Sequence, residues 1–567
     1  MRKTNFKPKF IAAFVALNLS SMTFAGQVYS GVDYQYFRDF AENKGKFTPG
    51  AQNIAVLNKK GESIGTIMQN APMMDFSVVS RNGVAALVGD QYIVSVAHNV
   101  GYRNVDFGME GSNPDQHRFA YNIVKRNNYK NDRTHPYMTD YHNPRLAKFV
   151  TEAAPIEMVS NMQGSTYGDL EKYPMRVRIG SGWQFLRDDN DNGNHIAMAY
   201  NYLTAGNTFM QGWANNGEVS LSGDVRHPNQ YGPLPISGSS GDSGSPMFIY
   251  DKTAGKWLLN GVLRSGHPYQ GKENTYQIAR KDYLDEILDS DLLTVFEFTA
   301  ASYDWTTDGN GNGELAKKGS QIVVNTPLAN YSLPSSDRDE FFGYGGPNPY
   351  MPALHHGKNI YLGNMQSSTI TLKNDIDQGA GGLTFEGDFV VQPANDETWK
   401  GAGISVGEGS TVTWKIKNPA GDRLSKIGQG TLLVNGKGEN LGDISVGDGV
   451  VVLNQQADEQ GQKQAFNQLG IVSGRPTVKL ESADQVNPNN IYFGFRGGRL
   501  DLNGHSLTFN RIQNTDEGAQ IVNHNKGTAA TITILGNAQI NNENNINQSK
   551  ATAFNGWLGE TNTTLHN

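Results

Sequence analysis

The first half of the chain carries short apolar stretches at strand-like spacing, separated by turn-forming residues. Examples are GVAALVGDQYIVSVAHN (83–99), MRVRIG (175–180) and KWLLNGVLR (256–264). A helical pattern, with apolar residues at helical spacing, appears in DYLDEILDSDLL (282–293). This pattern predicts a β-rich domain over residues 26–300 that ends in a helix, followed by a turn-rich connecting region over residues 301–356.

From residue 357 to residue 567 the pattern changes to short apolar strands separated by Gly, Asn and Asp. Comparable strands begin at Thr411, Gly430 and Gly449, at equal intervals along the chain. A repeat of about 20 residues is typical of a parallel β-helix, in which inward side chains of successive coils stack into one core. A stack of β-sandwich modules is the alternative, but the regular short period favours the β-helix.

Residues 1–25 have the layout of an export signal. Basic side chains in MRKTNFKPKF precede a short apolar run, FIAAFVAL (10–17), and the small residue Ala25 comes just before Gly26. These three parts together predict a secretory signal peptide. The apolar run is too short to cross a hydrocarbon layer of about 30 Å as a helix. We therefore expect a secreted protein whose mature chain begins at Gly26.

Composition narrows the class of protein further. Only 37% of the residues are hydrophobic and 18% are charged, whereas Gly alone accounts for 65 residues, as suits many short strands joined by turns. The net charge of −7 does not resemble the basic footprint of a nucleic-acid binder. The chain contains no Cys, which excludes a cysteine nucleophile and a thiolate metal site.

The stretch GSSGDSGSPMFIY (238–250) contains the best candidate for a nucleophile, Ser243. It is not the G-x-S-x-G elbow of α/β-hydrolases, because Ser245 stands where that motif needs glycine. A serine hydroxyl needs an adjacent base, and His98 at the end of the apolar strand YIVSVAHN is the best candidate.

A carboxylate must in turn orient the imidazole of His98. Asp140, which lies downstream of His98 in the segment TDYHNPRLAKFV, is preferred for this role. Asp106 and Asp115 remain alternatives on spacing alone.

Two acidic stretches resemble the start of a calcium loop, namely DDNDNGN (188–194) and DGNGNG (308–313). An EF-hand loop needs Glu at its twelfth position, where these stretches have Ala199 and Gly319. We interpret both as turns and expect neither a metal site nor any cofactor.

The order His98, Asp140, Ser243 resembles that of the chymotrypsin-like double β-barrel proteases. The likeness is closer to the serine protease autotransporters of Gram-negative bacteria, first to their Hap-like (Haemophilus adhesion and penetration) members and next to the IgA1 proteases. It extends over the whole chain and rests on these segments: VDYQYFRDFAENKGKF (32–47), DFSVVSRNGVAALVGDQYIVSVAHN (75–99), DYHNPRLAKFVTEAAP (140–155), VRIGSG, GDSGSPMFIYD, GAGGL, DRLSKIGQGTLLVNGKG and FGFRGGRLD.

This resemblance implies a mainly β protein, with a chymotrypsin-like double β-barrel protease domain followed by a right-handed parallel β-helix. It selects Asp140 as the acid, because the acid of the family lies in the matching segment. The backbone N–H groups of Gly241 and Ser243 are then expected to form the oxyanion hole.

The resemblance also implies a specificity pocket and raises a question about Asp242. Ser237 is expected at the base of the pocket, with Arg264 and Gly266 near its wall, and this polar, uncharged base does not favour Arg or Lys in the substrate. In activated digestive relatives a freed apolar N-terminus pairs with the Asp that precedes the serine. Whether Gly26 reaches Asp242 is left open by the sequence.

The function implied by the resemblance is that of a secreted autotransporter serine endopeptidase that cleaves its own passenger and adheres to host surfaces. Its expected partners are protein substrates and host extracellular proteins, with no nucleic acid. Contact with the outer membrane is expected only through a C-terminal β-barrel, so the chain is interpreted as the N-terminal part of a passenger. The alternatives are an IgA1 hinge protease, an adhesin in which catalysis is secondary, and a purely structural β-helix protein.

Overall fold

The computed structural model describes residues 26–559, apart from 100–101, 109–118, 130–139, 211, 216, 239–240, 267–271, 299–300, 308–311, 318–322, 328–356, 365–366, 515–517, 536–553 and 555. The described part forms two units. Residues 26–291 form the first unit, in which most strand pairs are antiparallel and β1 pairs in parallel with β10. The second unit is a parallel solenoid whose first strand begins at Leu292.

Short strands account for most of the first unit. They are β1 (Gln27–Tyr29), β2 (Ile54–Leu57), β3 (Ser63–Ile67), β4 (Ala86–Gly89), β5 (Tyr92–Val94), β6 (Asn104–Val105), β7 (Tyr121–Lys125), β8 (Arg145–Leu146), β9 (Arg176–Gly180), β10 (Gln184–Arg187), β11 (Gly193–Ala197), β12 (Thr204–Asn207), β13 (Gly212–Asn215), β14 (Glu218–Ser222), β15 (Ile236–Ser237), β16 (Pro246–Asp251), β17 (Lys256–Gly266) and β18 (Glu273–Ile278).

Three sheets carry the strands that position the candidate site. A five-stranded sheet has the order β4-β5-β8-β7-β6, a seven-stranded sheet has the order β12-β9-β16-β17-β18-β14-β13, and a four-stranded sheet has the order β11-β10-β1-β15. The inward side chains of all three belong to one buried apolar cluster that runs from Val28 to Ile287. Burial of this shared apolar surface holds the sheets against one another.

The helices of the first unit are α1 (Tyr34–Glu42), α2 (Pro228–Tyr231) and α3 (Lys281–Asp291). The side chain of Asp33 caps α1 by accepting a hydrogen bond from the N–H of Gln35, and α1 ends at Asn43 in the left-handed conformation. The helix expected from DYLDEILDSDLL is confirmed as α3, which buries Leu284 and Ile287. No helix within the described ranges is long and apolar enough to cross a membrane.

The solenoid is built from short strands that return after each coil. They are β19 (Leu292–Phe298), β20 (Ser302–Thr307), β21 (Asn312–Lys317), β22 (Val323–Pro327), β23 (Asn359–Asn364), β24 (Ser368–Leu372), β25 (Ile376–Asp377), β26 (Leu383–Glu386), β27 (Phe389–Pro393), β28 (Trp399–Lys400), β29 (Ile404–Val406), β30 (Thr411–Trp414), β31 (Arg423–Ile427), β32 (Thr431–Val434), β33 (Asp443–Val446), β34 (Val450–Leu453), β35 (Leu469–Ile471), β36 (Thr477–Leu480), β37 (Ile491–Phe493), β38 (Gly498–Asp501), β39 (Leu507–Phe509), β40 (Gln513–Asn514), β41 (Ala519–Val522), β42 (Ile532–Ile534) and β43 (Trp557–Leu558).

Two long parallel ladders run along the solenoid, β19-β23-β26-β29-β31-β33-β35-β37-β40 and β20-β24-β27-β30-β32-β34-β36-β38-β41-β43. Inward residues of neighbouring coils are in register, as in the buried column Val412, Leu432, Val451, Val478 and Leu500. Such stacking gives each coil a partner for the apolar face that it cannot bury alone. The predicted fold class, a mainly β protease domain followed by a parallel β-helix, is confirmed.

The parallel ladders begin earlier in the chain than the sequence pattern indicates. Strand β19 pairs in parallel with β23, and β20 pairs in parallel with β24, so both belong to the solenoid sheets. They lie on either side of residue 300, and β21 and β22 extend the sheet as antiparallel strands. The Gly- and Asn-rich stretch between β20 and β21 resembled a linker in the sequence, although these two strands pair with each other. Residues 328–356 of the expected connecting region lie outside the described residues.

A single stretch of the first unit, residues 140–152, runs from the candidate site to the solenoid, and we call it the bridging segment. The Phe149 ring is buried against Ala402 and Ile427, and its N–H donates to the Ala402 carbonyl at 2.8 Å. The ring fits because Gly382 has no side chain: a Cβ there would overlap the Phe149 ring.

Polar contacts flank this ring on both sides. The Nζ of Lys148 donates to Asp422 at 2.7 Å and to the Gly401 carbonyl at 2.6 Å. The Thr151 hydroxyl hydrogen bonds to the Ser445 hydroxyl at 2.9 Å. The bridging segment is therefore fixed to the side of the solenoid over several coils.

Replacing Phe149 with Ala removes the ring that fills the solenoid pocket. Because large-to-small substitutions at buried aromatic positions cost about 3–5 kcal/mol, we expect Phe149→Ala to lower the free energy of unfolding by roughly that amount. Urea titration followed by tryptophan fluorescence measures the change. Leu441→Ala, at a position that is 54% exposed, is the matched control and should leave the midpoint unchanged. Equal midpoints for the two variants would contradict the docking described here.

Candidate active site

His98 and Asp140 are in direct contact. The chain leaves β5 through the buried residues 95–97, which deliver the His98 ring to a partly open position. The Nδ1 of His98 lies 2.6 Å from Oδ2 of Asp140, and the His98 backbone N–H donates to Oδ1 at 2.9 Å. Because an ionised carboxylate can only accept, Nδ1 carries the proton and Nε2 keeps its lone pair. The histidine is thereby held in the tautomer of a general base.

Asp106, one of the two other carboxylates considered from spacing, is engaged away from His98. Asp106 accepts a hydrogen bond from Nε of Arg81 at 2.7 Å, in an ion pair of its own. Asp115 lies outside the described residues. Of the three candidates, Asp140 is the one with a measured contact to His98.

A buried arginine holds the backbone on both sides of His98. The Nη2 of Arg126 donates to the carbonyls of Ala97 at 3.1 Å and Asn99 at 2.8 Å. The same nitrogen lies 3.3 Å from Nδ1 of His142. Arg126 is only 1% exposed, and its planar guanidinium fixes these acceptors in space.

The imidazole of His142 is kept neutral by its surroundings. A guanidinium can only donate, so Nδ1 of His142 accepts from Arg126, and Nε2 carries the proton toward the Tyr102 hydroxyl at 2.8 Å. Burial, and then the charges of Arg126 and His98, hold the pKa of His142 well below its ordinary value. The sequence did not single out His142 or Arg126. Only the position of His142, two residues after Asp140, could have drawn attention to it.

Ser243 lies in the turn before β16, against the segment that carries His98. The Asn99 side-chain amide donates to the Ser243 carbonyl at 2.5 Å. Gly244 follows with a φ of 83°, and a Cβ there would overlap the Ser95 hydroxyl oxygen. Only glycine allows this approach, so the GDSG turn packs directly on the histidine segment.

The carboxylate of Asp242 is held by charged and hydrogen-bonding partners in the buried space behind the serine turn. Its carboxylate forms an ion pair with Arg178 at 3.1 Å, with both side chains fully buried. It also accepts hydrogen bonds from the N–H of Gly182 at 2.8 Å and from that of Gly26 at 3.0 Å. Gly26 therefore does reach Asp242, although Arg178 shares it. In a mature chain that begins at Gly26, this nitrogen is the α-ammonium group, which adds a second positive charge.

Gly241, expected to contribute to the oxyanion hole, has a φ of 88°. The left-handed backbone at this position favours glycine and turns the chain sharply just before Asp242 and Ser243. Its Cα faces the turn at Gly182, because a Cβ on Gly241 would lie 3.3 Å from Gly182 Cα. Residues 239–240, which precede it, lie outside the described residues.

The expected specificity pocket is occupied at its base by Asn274, which the sequence did not single out. Ser237 is fully buried, and its hydroxyl donates to Asn274 Oδ1 at 3.3 Å. The amide also exchanges hydrogen bonds with the backbone of Gly238, and a Cβ on Gly266 would lie 2.9 Å from Asn274 Nδ2. Ser237 and Gly266 are thus brought together, whereas Arg264 is paired with Glu218 at 3.2 Å.

The first acidic stretch forms the turn between β10 and β11. The carboxylate of Asp188 accepts the backbone N–H groups of Asn190 and Asn192, at 2.9 and 2.8 Å. Residues 308–311 of the second stretch lie outside the described residues. Elsewhere in the described ranges, no group of three or more His, Asp or Glu side chains is arranged to hold a metal ion.

A cleft of about 350 Å³ opens at the junction of the two units, away from the candidate catalytic residues. It is lined by Glu152 and Trp257 of the first unit and by Arg475 of the solenoid. At its edge, the guanidinium of Arg496 forms two hydrogen bonds with the carboxylate of Asp75, at 2.8 and 3.0 Å. The residues that line this cleft do not include His98, Asp140 or Ser243.

Comparison with known proteins gives consistent matches along the chain. Residues 25–282 match the family described as immunoglobulin A1 protease. An adhesion and penetration protein autotransporter of Haemophilus influenzae is 59% identical, over 100% of this chain and 41% of its own length. An immunoglobulin A1 protease autotransporter of Haemophilus influenzae is 41% identical, over 96% of this chain and 34% of its own length. The crystal structure of the Haemophilus influenzae Hap adhesin superposes with a TM-score of 0.88 at 59% identity, covering 95% of this chain and 59% of that one.

These matches show that the chain is similar to the autotransporters of the immunoglobulin A1 protease family. The resemblance to the Hap-like serine protease autotransporters seen in the sequence is confirmed. Such autotransporter relatives are secreted proteins that reach the cell surface through the periplasm. The chain spans about two fifths of the length of the curated relatives that it matches.

The neutral, buried His142 makes the site sensitive to acid. Because its folded pKa is lowered, its contribution to stability is fully present above its unfolded pKa of about 6.5 and is lost as pH falls below that value. We expect the free energy of unfolding of the wild type to fall more steeply between pH 7 and pH 5 than that of His142→Gln. Urea titrations at several pH values measure both slopes, and His227→Gln, at an exposed histidine, is the control. Equal slopes for wild type and His142→Gln would contradict this account.

Proposed function

We propose that the chain is the catalytic part of a secreted serine endopeptidase of the chymotrypsin-like type. Ser243 is its nucleophile, His98 its general base and Asp140 the group that orients the histidine. The observation that carries this proposal is the contact between His98 and Asp140, in which both carboxylate oxygens engage the histidine residue. This arrangement leaves Nε2 as the nitrogen that takes the proton of the serine hydroxyl.

In the reaction, Ser243 Oγ attacks the scissile carbonyl while Nε2 of His98 removes the hydroxyl proton. The same nitrogen then gives that proton to the leaving amine, and a water molecule repeats the sequence to release the acid. Asp140 stays ionised throughout and stabilises the imidazolium. Arg126 keeps the backbone on both sides of His98 in place, so the ring does not have to reorganise between steps.

The backbone N–H groups of Gly241 and Ser243 stabilise the tetrahedral oxyanion. The left-handed conformation of Gly241 supports this role, because it allows the sharp turn that aims both groups in one direction. Loss of one such donor typically costs about 3–4 kcal/mol of transition-state stabilisation. The Asp242–Arg178 pair beneath the turn holds it in this shape.

Processing of its own passenger and adhesion to host surfaces complete the proposed function. Both come from the resemblance to the Hap-like proteins, whose name joins adhesion and penetration. The substrates are proteins, including the chain's own passenger, and the partners are host extracellular proteins. An IgA1 hinge protease is the second candidate, supported by the family match but by a lower identity of 41% against 59%.

Labelling with a fluorophosphonate probe tests the proposed triad. We expect the purified chain 26–567 to be labelled, Ser243→Ala not to be labelled, and His98→Ala to lose nearly all labelling. Asp140→Asn should lower the labelling rate by roughly 10⁴-fold, because the histidine would then take the wrong tautomer.

Two controls make the labelling experiment decisive. Ser222→Ala and His227→Ala change exposed residues of the same types and should be labelled at the wild-type rate. Labelling of a folded Ser243→Ala protein at the wild-type rate would rule out Ser243 as the nucleophile. A folded wild type that is not labelled, but binds host cells, would favour an adhesin without catalysis.

A further inference from the structure

Three exposed apolar side chains lie beside the turn that carries Ser243. Ile196, Met198 and Tyr200 are 36%, 56% and 51% exposed, and Ala197 in the same stretch is buried. They lie at the end of β11 and in the turn that follows it, and we call them the apolar strip. Single exposed apolar residues are ordinary, but three so close together in the chain are more often part of a contact surface.

The apolar strip adjoins the expected oxyanion turn. Ala199, between two of its members, faces Gly241, since a Cβ on that glycine would lie 3.6 Å from the Cβ of Ala199. The N–H of Tyr200 donates to the Ser181 carbonyl at 2.5 Å. The N–H of Gly182, the residue after Ser181, donates to the carboxylate of Asp242. The strip is therefore attached to the same backbone that supports the serine turn.

Aromatic packing and strand pairing hold β11, at whose end the strip begins. The His195 ring packs against Trp183 at 5.0 Å and against Phe185 at 5.3 Å between ring centroids. Strand β11 pairs with β10 and lies at the edge of its sheet in the described part of the chain. An edge position leaves the side chains after β11 open to a bound segment rather than to a neighbouring strand.

The strip and the expected specificity pocket meet the serine turn at different residues. The N–H of Gly244, which follows Ser243, donates to the Leu263 carbonyl at 2.8 Å, which sets β17 and its pocket residues against the turn. Gly241, which precedes Ser243, meets Ala199 of the strip region. A polypeptide whose acyl side lies over β17 can therefore extend toward the strip after the scissile bond.

We propose that the apolar strip binds the part of the polypeptide substrate that follows the scissile bond and selects apolar side chains there. An extended chain advances about 3.3 Å per residue, so it is the first residues after the bond that the strip, which adjoins the serine turn, would contact. The occupant is an extended segment of a substrate protein, and the continuity of the strip with the serine turn is the reason for that choice. This inference rests on the proposed endopeptidase function.

Digestion of a peptide library tests the inference on many candidate cleavage sequences at once. Peptides derived from a proteome are cleaved by the chain 26–567, and mass spectrometry reads the residues on both sides of each cleaved bond. We expect apolar residues to be enriched in the positions after the bond. In Met198→Ser/Tyr200→Ser that enrichment should disappear, whereas the preference before the bond should remain.

A kinetic comparison measures how much the strip contributes to cleavage. For one cleaved peptide with apolar residues after the bond, kcat/KM should fall about tenfold in the double variant, a size typical of lost apolar contacts. The rate of fluorophosphonate labelling should not change, because the probe has no polypeptide leaving group. Leu170→Ser, at another exposed apolar position, is the matched control and should behave as wild type.

The outcomes separate this inference from the function on which it rests. An unchanged cleavage profile in the double variant would overturn the role of the strip and leave the endopeptidase intact. Slower labelling in the double variant would also overturn it, since the strip would then be part of the catalytic framework. A wild type that neither labels nor cleaves would overturn the proposed function, and the inference with it.

Discussion

The attachment of the bridging segment to the solenoid is the constraint on which the candidate site depends. Asp140 begins this segment and orients His98, and a short way further along the chain the Phe149 ring is buried between coils of the solenoid. Between them, the buried Arg145 donates to the carbonyls of Gly357 and Ala380 at 2.7 and 3.0 Å. The segment that carries the acid of the proposed triad is thus held by contacts with both units.

The site itself is held by buried charges in a chain that has no cysteine. Arg178 with Asp242 stabilises the serine turn, and Arg126 stabilises the backbone around His98. Desolvating such charges is costly, so each has to be matched by good hydrogen bonds to persist. Removing one partner leaves the other charge buried and uncompensated, which makes these positions far more sensitive than surface ion pairs. Without disulfides, the framework obtains its rigidity from these polar contacts and from apolar packing.

The sequence predicted the fold class because the apolar residues recur regularly within each strand and the strands recur regularly along the solenoid. Apolar alternation marks single strands, and the regular recurrence of strands marks coils that stack Val412 on Leu432 and Leu432 on Val451. It could not locate the first coil at Leu292, because β19 and β23 are separated by a long stretch that resembles a linker. Pairing between distant strands depends on tertiary contacts that no local pattern records.

The sequence likewise predicted some residues of the candidate site and missed others. Motif and strand-end context singled out Ser243 and His98, but spacing alone did not distinguish Asp140 from Asp106, which proves to be paired with Arg81. Arg126, His142 and Asn274 were missed because each acts through contacts with residues that are distant in the sequence or lie on other strands. Their side chains carry no signal until the fold brings those partners together.

A crystal structure of the mature chain inhibited with diisopropyl fluorophosphate would test the central claim most directly. The account predicts phosphorus bonded to Ser243 Oγ, a phosphoryl oxygen within hydrogen-bonding distance of the N–H groups of Gly241 and Ser243, and His98 still bonded to Asp140. An adduct on another serine, or an oxyanion oxygen that points away from Gly241, would contradict it.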